Sequence, residues 1–380
     1  MSITSSFRMI ADKEQFPERA DMSRAIKRLV TLAAQGLPQM LDSEKQLFCF
    51  KLKKTEQGIV REGISHRYTM MTLMGLKRLE ESGMSSPIPI GLVLDKLFEN
   101  FDWIDNIGDL GVLLWTSAVV APDRIEDVAR KLDVRTALER FPGVRDGRTM
   151  ELAWFLTGLS HAAIAAQAPA YFKELATKTY QLLVKNQGER GMFGHIATNG
   201  SVRGVLRGRV GSFADQVYPI YGMTRYGQAY GDKGAIERAL ECGLTICEVQ
   251  GSLGQWWWHY DSAGGRVAGR LPVFSVHQHA MGPMALLALG EATDSDFSPW
   301  IYRGLQWIGR NELAMDMEAS DINIVWRSIY RPTSRRVLDT AMALLSQRDD
   351  EESRSGLRVM WECRPYELGW LLYAFAKWKA

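Results

Sequence analysis

Side chains suited to acid–base chemistry stand at six points of the sequence, each at the start of an apolar segment. The six groups are Ser65, His66, Arg67 and Tyr68; Asp105, Asn106 and Asp109; Arg148 and Glu151; Asp215 and Tyr218; His277, Gln278 and His279; and Arg364, Tyr366 and Glu367. Two carboxylates with separated pKa values can cleave a glycosidic bond as acid and base. A histidine or tyrosine beside a carboxylate can instead abstract a proton next to a sugar carboxyl group. We therefore expect catalytic roles for Glu151, Asp215, His277, Tyr218 and Glu367.

An aromatic loop and the remaining polar residues of these groups are expected to bind the substrate. In GQWWWHYD the side chains of an extended loop alternate, so Trp256 and Trp258 share one side and Trp257 faces the other. One side would wedge between helices, and the other would give a flat platform for a sugar ring or an isoprenoid chain. The expected substrate-binding residues are His66, Arg67, Tyr68, Asp109, Arg209, Trp256, Trp258, His259, His279 and Tyr366.

Two further patterns bear on the substrate and on local geometry. The stretch SVRGVLRGRVG holds Arg203, Arg207 and Arg209, which suit a carboxylate or phosphate if the loop covers a cavity. A solvated surface loop is the alternative. His277 and His279 diverge by about 200° on a regular helix, so one of them is expected in the loop or cap.

Composition excludes several classes of protein. The chain has 380 residues, 46 basic and 44 acidic, and a net charge of +2, without the basic excess of a nucleic-acid or membrane-surface binder. No signal peptide or membrane-spanning run is evident, and four cysteines are too few for a disulfide scaffold. We expect a cytoplasmic protein without a metal or cofactor, because Cys242 and Cys247 lack two further zinc ligands nearby. The oligomeric state is left open.

The segments that position these residues have the hydrophobic patterns of helices, and the patterns predict two layers. Six apolar segments begin near residues 63, 104, 147, 211, 274 and 363, and they are apolar nearly all round, as buried helices are. Amphipathic helices alternate with them, at 171–187, 235–250 and 300–313. This alternation predicts an inner ring of apolar helices inside an outer amphipathic ring, with the inner N-termini at a common mouth.

A repeat of about sixty residues runs through the outer helices. Gln187 and Gln250 are 63 residues apart, and Gln250 and Asn311 are 61 apart. In the first two copies the amide is followed by glycines and then by aromatic residues. We interpret each copy as a helix end capped by an amide and a glycine turn, with an aromatic wedge between hairpins.

Six helical hairpins that close into a ring resemble the (α/α)6 toroid. Terpenoid cyclases, protein prenyltransferase subunits, and six-hairpin glycosidases, lyases and sugar epimerases share that fold, and the repeat resembles the QW motifs of the squalene–hopene cyclase group. The resemblance covers roughly residues 35–380. It implies an all-α chain with an N-terminal segment and leading helix at 1–35 and a catalytic toroid at 36–380.

The resemblance leaves three functions open. A cyclase needs an Asp-x-Asp-Asp acid, which DMEASD and DSDF do not match, and the acidic run at 349–352 reads as a solvated turn. A prenyltransferase zinc site cannot be assembled. The six polar groups at the starts of the inner helices, which we call the six entries of the ring, each contain ionisable side chains. Charged entries favour a carbohydrate-active enzyme, of glycoside hydrolase, polysaccharide lyase or sugar-acid epimerase type, acting on an anionic small molecule or oligosaccharide. The alternatives are a terpenoid cyclase with a non-standard acid motif and a non-catalytic toroid that binds a saccharide or a protein.

Overall fold

A computed structural model describes residues 19–197, 202–332 and 355–378. The helices are α1 (Arg19–Gly36), α2 (His66–Glu81), α3 (Ile90–Phe98), α4 (Ile107–Val120), α5 (Ile125–Lys131), α6 (Ala137–Arg140), α7 (Pro142–Arg145), α8 (Thr149–Ile164), α9 (Phe172–Val184), α10 (Val202–Arg209), α11 (Ala214–Tyr230), α12 (Lys233–Glu248), α13 (Gly282–Thr293), α14 (Ser298–Trp307) and α15 (Pro365–Phe375). A π-helical turn, His277–Met281, precedes α13. None of these described helices is long and apolar enough to cross a membrane.

Short strands accompany the helices. They are β1 (Leu41–Asp42), β2 (Leu47–Thr55), β3 (Gly58–Ile64), β4 (Val210–Ser212), β5 (His259–Asp261), β6 (Arg266–Gly269), β7 (Val273–Phe274), β8 (Glu318–Ala319), β9 (Ile324–Val325), β10 (Ser328–Tyr330), β11 (Arg358–Met360) and β12 (Glu362–Cys363). β2 pairs antiparallel with β1, β3 and β12, and β5 lies between β4 and β6. β3, β4, β7 and β12 lead directly into α2, α11, the π turn and α15, so they position the polar side chains at four of the six inner N-termini.

The six apolar segments form a closed ring, as the sequence predicts. Around the ring, α2 packs on α4, α4 on α8, α8 on α11, α11 on α13, α13 and the π turn on α15, and α15 on α2. Their apolar faces carry most of the buried core, which explains why these segments lack a polar side. Closure brings the N-termini of all six inner segments to one end of the ring.

An outer layer surrounds this ring. α1 packs on α15, α3 on α2, α5 on α4, α9 on α8, α12 on α11, and α14 on the π turn. The leading helix thus lies against the last inner helix of the chain. The fold is the predicted double-layered helical toroid.

Glycines let neighbouring inner helices approach closely. A Cβ atom on Gly75 of α2 would lie 2.1 Å from the carbonyl oxygen of Gly369 on α15. Gly75→Ala is therefore expected to lower the free energy of unfolding by about 1–3 kcal/mol, because backbone cannot yield as a flexible side chain can. Urea denaturation measures the effect. Gly91→Ala, at a helical position with open space around it, is the matched control, and equal effects at the two sites would contradict the close-packing account.

The repeated amides cap the outer helices. The side-chain amide nitrogens of Gln187, Gln250 and Asn311 donate to the carbonyl four residues further on, at 3.2, 3.0 and 2.8 Å. The two glutamines also donate to a carbonyl of the next outer helix, α12 and α14 respectively. Each amide therefore joins a helix end to its turn, and the two glutamines also join that end to the neighbouring outer helix. A relationship to the cyclase motif stays a prediction.

A second pair of amides fixes the aromatic wedges. Gln216 accepts a hydrogen bond from the Phe193 N–H at 2.8 Å and donates to the Phe193 carbonyl at 2.9 Å. Gln278 holds Trp256 in the same way, at 2.9 and 3.0 Å. Phe193 and Trp256 are both fully buried. The loop that precedes an inner helix is thus fastened to the first turn of that helix.

Aromatic side chains meet across the axis of the ring below the mouth. The indole N–H of Trp370 on α15 donates to the hydroxyl of Tyr218 on α11 at 3.0 Å, although these helices are not ring neighbours. One level deeper, Trp115 donates to the Tyr373 hydroxyl at 3.1 Å and stacks on Tyr221, whose hydroxyl is 2.8 Å from that of Tyr373. These two levels form a floor beneath the mouth.

Candidate active site

The first two entries of the ring are joined by an ion pair. Arg67 Nε lies 2.5 Å from Asp109 Oδ1, and the Asn106 amide donates to Asp109 Oδ2 at 2.7 Å. The guanidinium of Arg67 also lies over the ring of Trp154, with its carbon 5.3 Å from the centroid. Since both oxygens of Asp109 are engaged, this residue orients Arg67, which remains partly exposed.

At the third entry, Glu151 lies in the wall of the ring. Arg148 Nη1 lies 2.9 Å from Glu151 Oε1. Glu151 Oε2 is buried without a hydrogen-bond partner in the described part of the chain, and a Cβ atom on Gly143 would lie 2.1 Å from it. The glycine therefore makes room for a carboxylate that keeps one oxygen unused.

The fourth entry holds a histidine–aspartate pair. Asp215 Oδ2 accepts hydrogen bonds from the N–H and hydroxyl of Ser212, both at 2.8 Å, and lies 3.0 Å from His195 Nδ1. The side chain of Asp215 is 1% exposed, whereas that of His195 is 35% exposed. A carboxylate only accepts hydrogen bonds, so Nδ1 donates and Nε2 of the neutral imidazole remains an acceptor. Asp215 is one of the expected site residues, but it is buried, and the accessible group is its partner His195. His195 is not among the residues that the sequence predicts.

A second imidazole lies beside this pair. Antiparallel pairing of β4 with β5 places His259 opposite Ser212. Burial lowers the pKa of His259 to about 4, although the charge of Asp215 acts in the opposite direction. His259 is therefore neutral near pH 7. The ring of Trp258 lies 5.1 Å from that of His259 and is partly exposed, which fits its expected place at the mouth.

The fifth entry differs from the expected geometry. His277 and His279 both lie in the π turn, so neither belongs to a loop or cap. The ring of His277 packs 4.5 Å from Phe213 and 5.2 Å from Phe274, and it lies parallel to Trp258. Burial lowers its pKa to about 3. The expected catalytic His277 is therefore a nearly buried, neutral ring in an aromatic wall.

His279 is fully buried, which corrects its expected role in substrate binding. Neither ring nitrogen has a hydrogen-bond partner within the described ranges, and burial lowers its pKa to about 3. In the unfolded chain a histidine titrates near 6.5. As the pH falls from about 6.5 towards 3, the unfolded chain takes up a proton that the folded chain refuses, and stability is lost.

His279→Leu is accordingly expected to protect the protein against acid. Its stability relative to wild type should be greater at pH 4.5 than at pH 8, because leucine has no proton to take up. Urea denaturation at the two pH values measures the difference. Parallel losses of stability by the two proteins on acidification would contradict this account.

The sixth entry contains a buried ion pair. Glu367 is fully buried, and its Oε1 is paired with Arg327 Nη1. Its Oε2 accepts from the backbone N–H of Arg364 at 3.4 Å. The expectation that Glu367 is catalytic is therefore corrected, since both oxygens are engaged inside the wall. The guanidinium of Arg327 lies over Phe274, which links this pair to the aromatic wall around His277.

Partly exposed aromatic residues line the mouth between the first and sixth entries. Tyr68 and Tyr366 have ring centroids 4.6 Å apart, and the Tyr68 hydroxyl accepts from Arg364 at 2.8 Å. His66 stacks on Trp103, with the ring centroids 5.1 Å apart. These side chains are accessible at the mouth, and their contact with a ligand stays a prediction.

Three other expected site residues are engaged elsewhere. Tyr218 is part of the floor, and burial raises the pKa of its hydroxyl far above the usual range. The ring of Trp256 is buried against Phe213, so it serves as a wedge and not as a platform. Arg209 forms a bidentate ion pair with the buried Asp261, at 2.8 and 2.9 Å, which fastens β4 to β5.

Two predicted features lie outside the described residues. They are the acidic run at 349–352 and the side chain of Arg203. Within the described part, no group of three or more histidine, cysteine, aspartate or glutamate side chains is placed to hold a metal ion. What the structure brings together at the mouth is one imidazole on a buried carboxylate and a second imidazole on the neighbouring strand, with arginines and aromatic rings around them.

Comparison with known proteins bears on the fold. No protein-family model matches the chain, and no curated protein matches its sequence. Among solved structures, an unsaturated glucuronyl hydrolase specific for heparin is similar over 93% of this chain and 96% of that one, with a TM-score of 0.59 and 15% identity.

Two further solved structures extend the comparison. A sugar epimerase from a ruminal bacterium matches over 93% of this chain and 98% of its own, with a TM-score of 0.62 and 9% identity. An α-1,6-mannanase of Salegentibacter sp. HEL1_6, in complex with α-1,6-mannotetrose, gives a TM-score of 0.55 at 13% identity over the same shares of the two chains. The chain thus has the six-hairpin (α/α)6 toroid fold of these glycosidase-like and epimerase-like proteins.

Proposed function

We propose that the protein is a carbohydrate-active enzyme that moves a proton on an anionic saccharide bound at the mouth of the ring. The observation that carries this proposal is the pair of imidazoles at Asp215. His195 is exposed and is oriented by the carboxylate, and His259 stays neutral beside it. Trp258, Tyr68 and Tyr366 provide aromatic surfaces on which the apolar faces of sugar rings stack.

The geometry favours proton abstraction over cleavage by paired carboxylates. The carboxylates of Asp109 and Glu367 and Oδ2 of Asp215 are engaged with donors, and Oδ1 of Asp215 is buried, whereas Nε2 of His195 is left to accept a proton. In the proposed reaction this nitrogen takes the proton from the carbon next to the sugar carboxylate. The electron pair moves into the carboxylate. It then either returns to the carbon, which takes a proton from water on the opposite face while His195 releases its proton to solvent, or forms a double bond and expels the oxygen substituent on the neighbouring carbon, which leaves with the proton from His195. The first outcome is epimerisation, and the second is elimination.

Glycoside hydrolysis is the second candidate. Glu151 favours it, because Oε2 has no hydrogen-bond partner in the described ranges and the residue stands near Arg67. A carboxyl group with an unused oxygen can protonate a leaving oxygen while a base activates water.

Reaction in heavy water distinguishes the two candidates. The protein is incubated with oligosaccharides that contain uronic acids and with neutral ones of the same linkage, and the products are examined by NMR and mass spectrometry. Deuterium on the carbon next to the carboxylate, in product or recovered substrate, is expected for epimerisation, and a double bond between that carbon and its neighbour is expected for elimination. A new reducing end whose partner fragment has neither carbon-bound deuterium nor a double bond would replace this proposal by hydrolysis. Conversion of prenyl diphosphates, with no change in any saccharide, would overturn both candidates.

A further inference from the structure

We propose that Arg364, together with Phe50, Tyr68 and Tyr366, forms the binding site for a carboxylate group on the sugar unit next to the one that reacts. This inference rests on the proposed function, because it names the residues by which the same mouth selects an anionic sugar. Neither Arg364 nor Phe50 is among the substrate-binding residues that the sequence predicts.

The charge of Arg364 has no counterion within the described residues. Arg327, Arg67, Arg148 and Arg209 each have a carboxylate partner within 4 Å, whereas no described carboxylate lies within that distance of Arg364. Its Nη1 donates to the hydroxyl of Tyr68, and its Nε is buried without an acceptor. An incoming carboxylate gains the most binding free energy from a partly buried guanidinium that has no other anion beside it.

Aromatic rings hold this guanidinium in place. Its carbon lies 4.5 Å from the centroid of Phe50 and 5.8 Å from that of Tyr68. Phe50 and Tyr68 stack at 5.4 Å, and Tyr68 packs against Tyr366 at 4.6 Å. Phe50 is 37% exposed although it is a large apolar residue in β2. An exposed ring that continues a stack into the mouth offers a surface for a sugar.

The place of Arg364 in the ring suits a substrate that spans the mouth. Arg364 and Tyr68 lie where α15 meets α2, and His195 and Asp215 lie where α8 meets α11. In the closed order of six inner helices these two boundaries are on opposite sides. A saccharide lying over the floor would therefore place the carboxylate of one sugar unit at Arg364 and the neighbouring, reacting unit at the imidazoles.

Binding measurements with matched sugars test the proposal. Calorimetric titrations compare a glucuronide disaccharide with the glucoside disaccharide of the same linkage, for wild type, Arg364→Gln and Arg135→Gln. Arg135 is the matched control, since its guanidinium also stacks on a tyrosine, at 4.4 Å from Tyr171, beyond the opposite end of the inner helices. Wild type and the control should prefer the glucuronide. Arg364→Gln should bind it about 10- to 100-fold more weakly, the loss of a charged hydrogen bond, and bind the glucoside as before.

Two further measurements keep the outcomes decisive. Arg364→Lys retains the charge without the planar fork and should recover part of the preference; melting curves verify that each variant is folded. A glucuronide preference that survives in folded Arg364→Gln, or is absent from wild type, overturns this inference while leaving the proposed reaction intact. Failure of wild type to bind or convert any saccharide overturns the proposed function, and this inference with it.

Discussion

Replacing His195 by glutamine is expected to lower kcat by about 10²- to 10⁴-fold, which is the usual contribution of a positioned acid or base. Glutamine can still donate to Asp215, but it has no nitrogen that accepts and returns a proton near neutral pH. KM should change little, because the aromatic and arginine contacts at the mouth remain. Steady-state kinetics on the saccharide identified in heavy water measures both constants.

Asp215→Asn is the companion variant. An amide in place of the carboxylate no longer fixes the tautomer of His195, so kcat should fall in the same direction. Because the two residues act as a unit, the double variant should be little worse than the poorer single one. Asp232→Asn is the matched control, since Asp232 accepts from the Ala235 N–H at the start of an outer helix. Independent, multiplicative losses at His195 and Asp215 would contradict a dyad.

Replacing Arg327 by methionine is expected to lower the free energy of unfolding by about 3–5 kcal/mol. The reason is that Glu367 would be left buried and charged without its partner. Urea denaturation at pH 7 measures the loss.

The double variant Arg327→Met with Glu367→Leu separates the pair from its parts. It should recover most of the stability, because an apolar pair of similar volume avoids the cost of desolvating two charges. A double variant that is less stable than Arg327→Met alone would contradict this account. Recovery of turnover in the stable double variant would further show that Glu367 supplies structure and no proton.

The architecture was predictable because it depends on hydrophobic pattern. Segments apolar on all sides can be buried only inside a second layer, and the amide repeat at Gln187 and Gln250 marks successive hairpins. The mouth was predictable for the same reason, since closure brings the inner N-termini together.

The roles of single residues were harder to predict, because burial and partners decide them. In the sequence, Glu367 has the position of a carboxylate at the mouth. Its ion-pair partner Arg327 comes from a loop that is distant in the sequence, so the pair is visible only in the fold. His195 lies in an irregular segment and becomes a candidate only through its bond to Asp215. The repeat held a signal for it: MFGHI follows Gln187 as WWWHY follows Gln250, so each of the first two copies brings a histidine soon after its wedge.

The crossed aromatic floor has a consequence for turnover. Tyr218 is three residues along α11 from Asp215, so the floor begins only about 4.5 Å below the carboxylate, and Tyr221 and Tyr373 reinforce it one turn deeper. In the part of the chain that the structure describes, this floor closes the ring below the mouth, so reactant arrives and product departs on the same side. Accumulated product therefore occupies the space that the next molecule needs, and inhibition by product should be competitive.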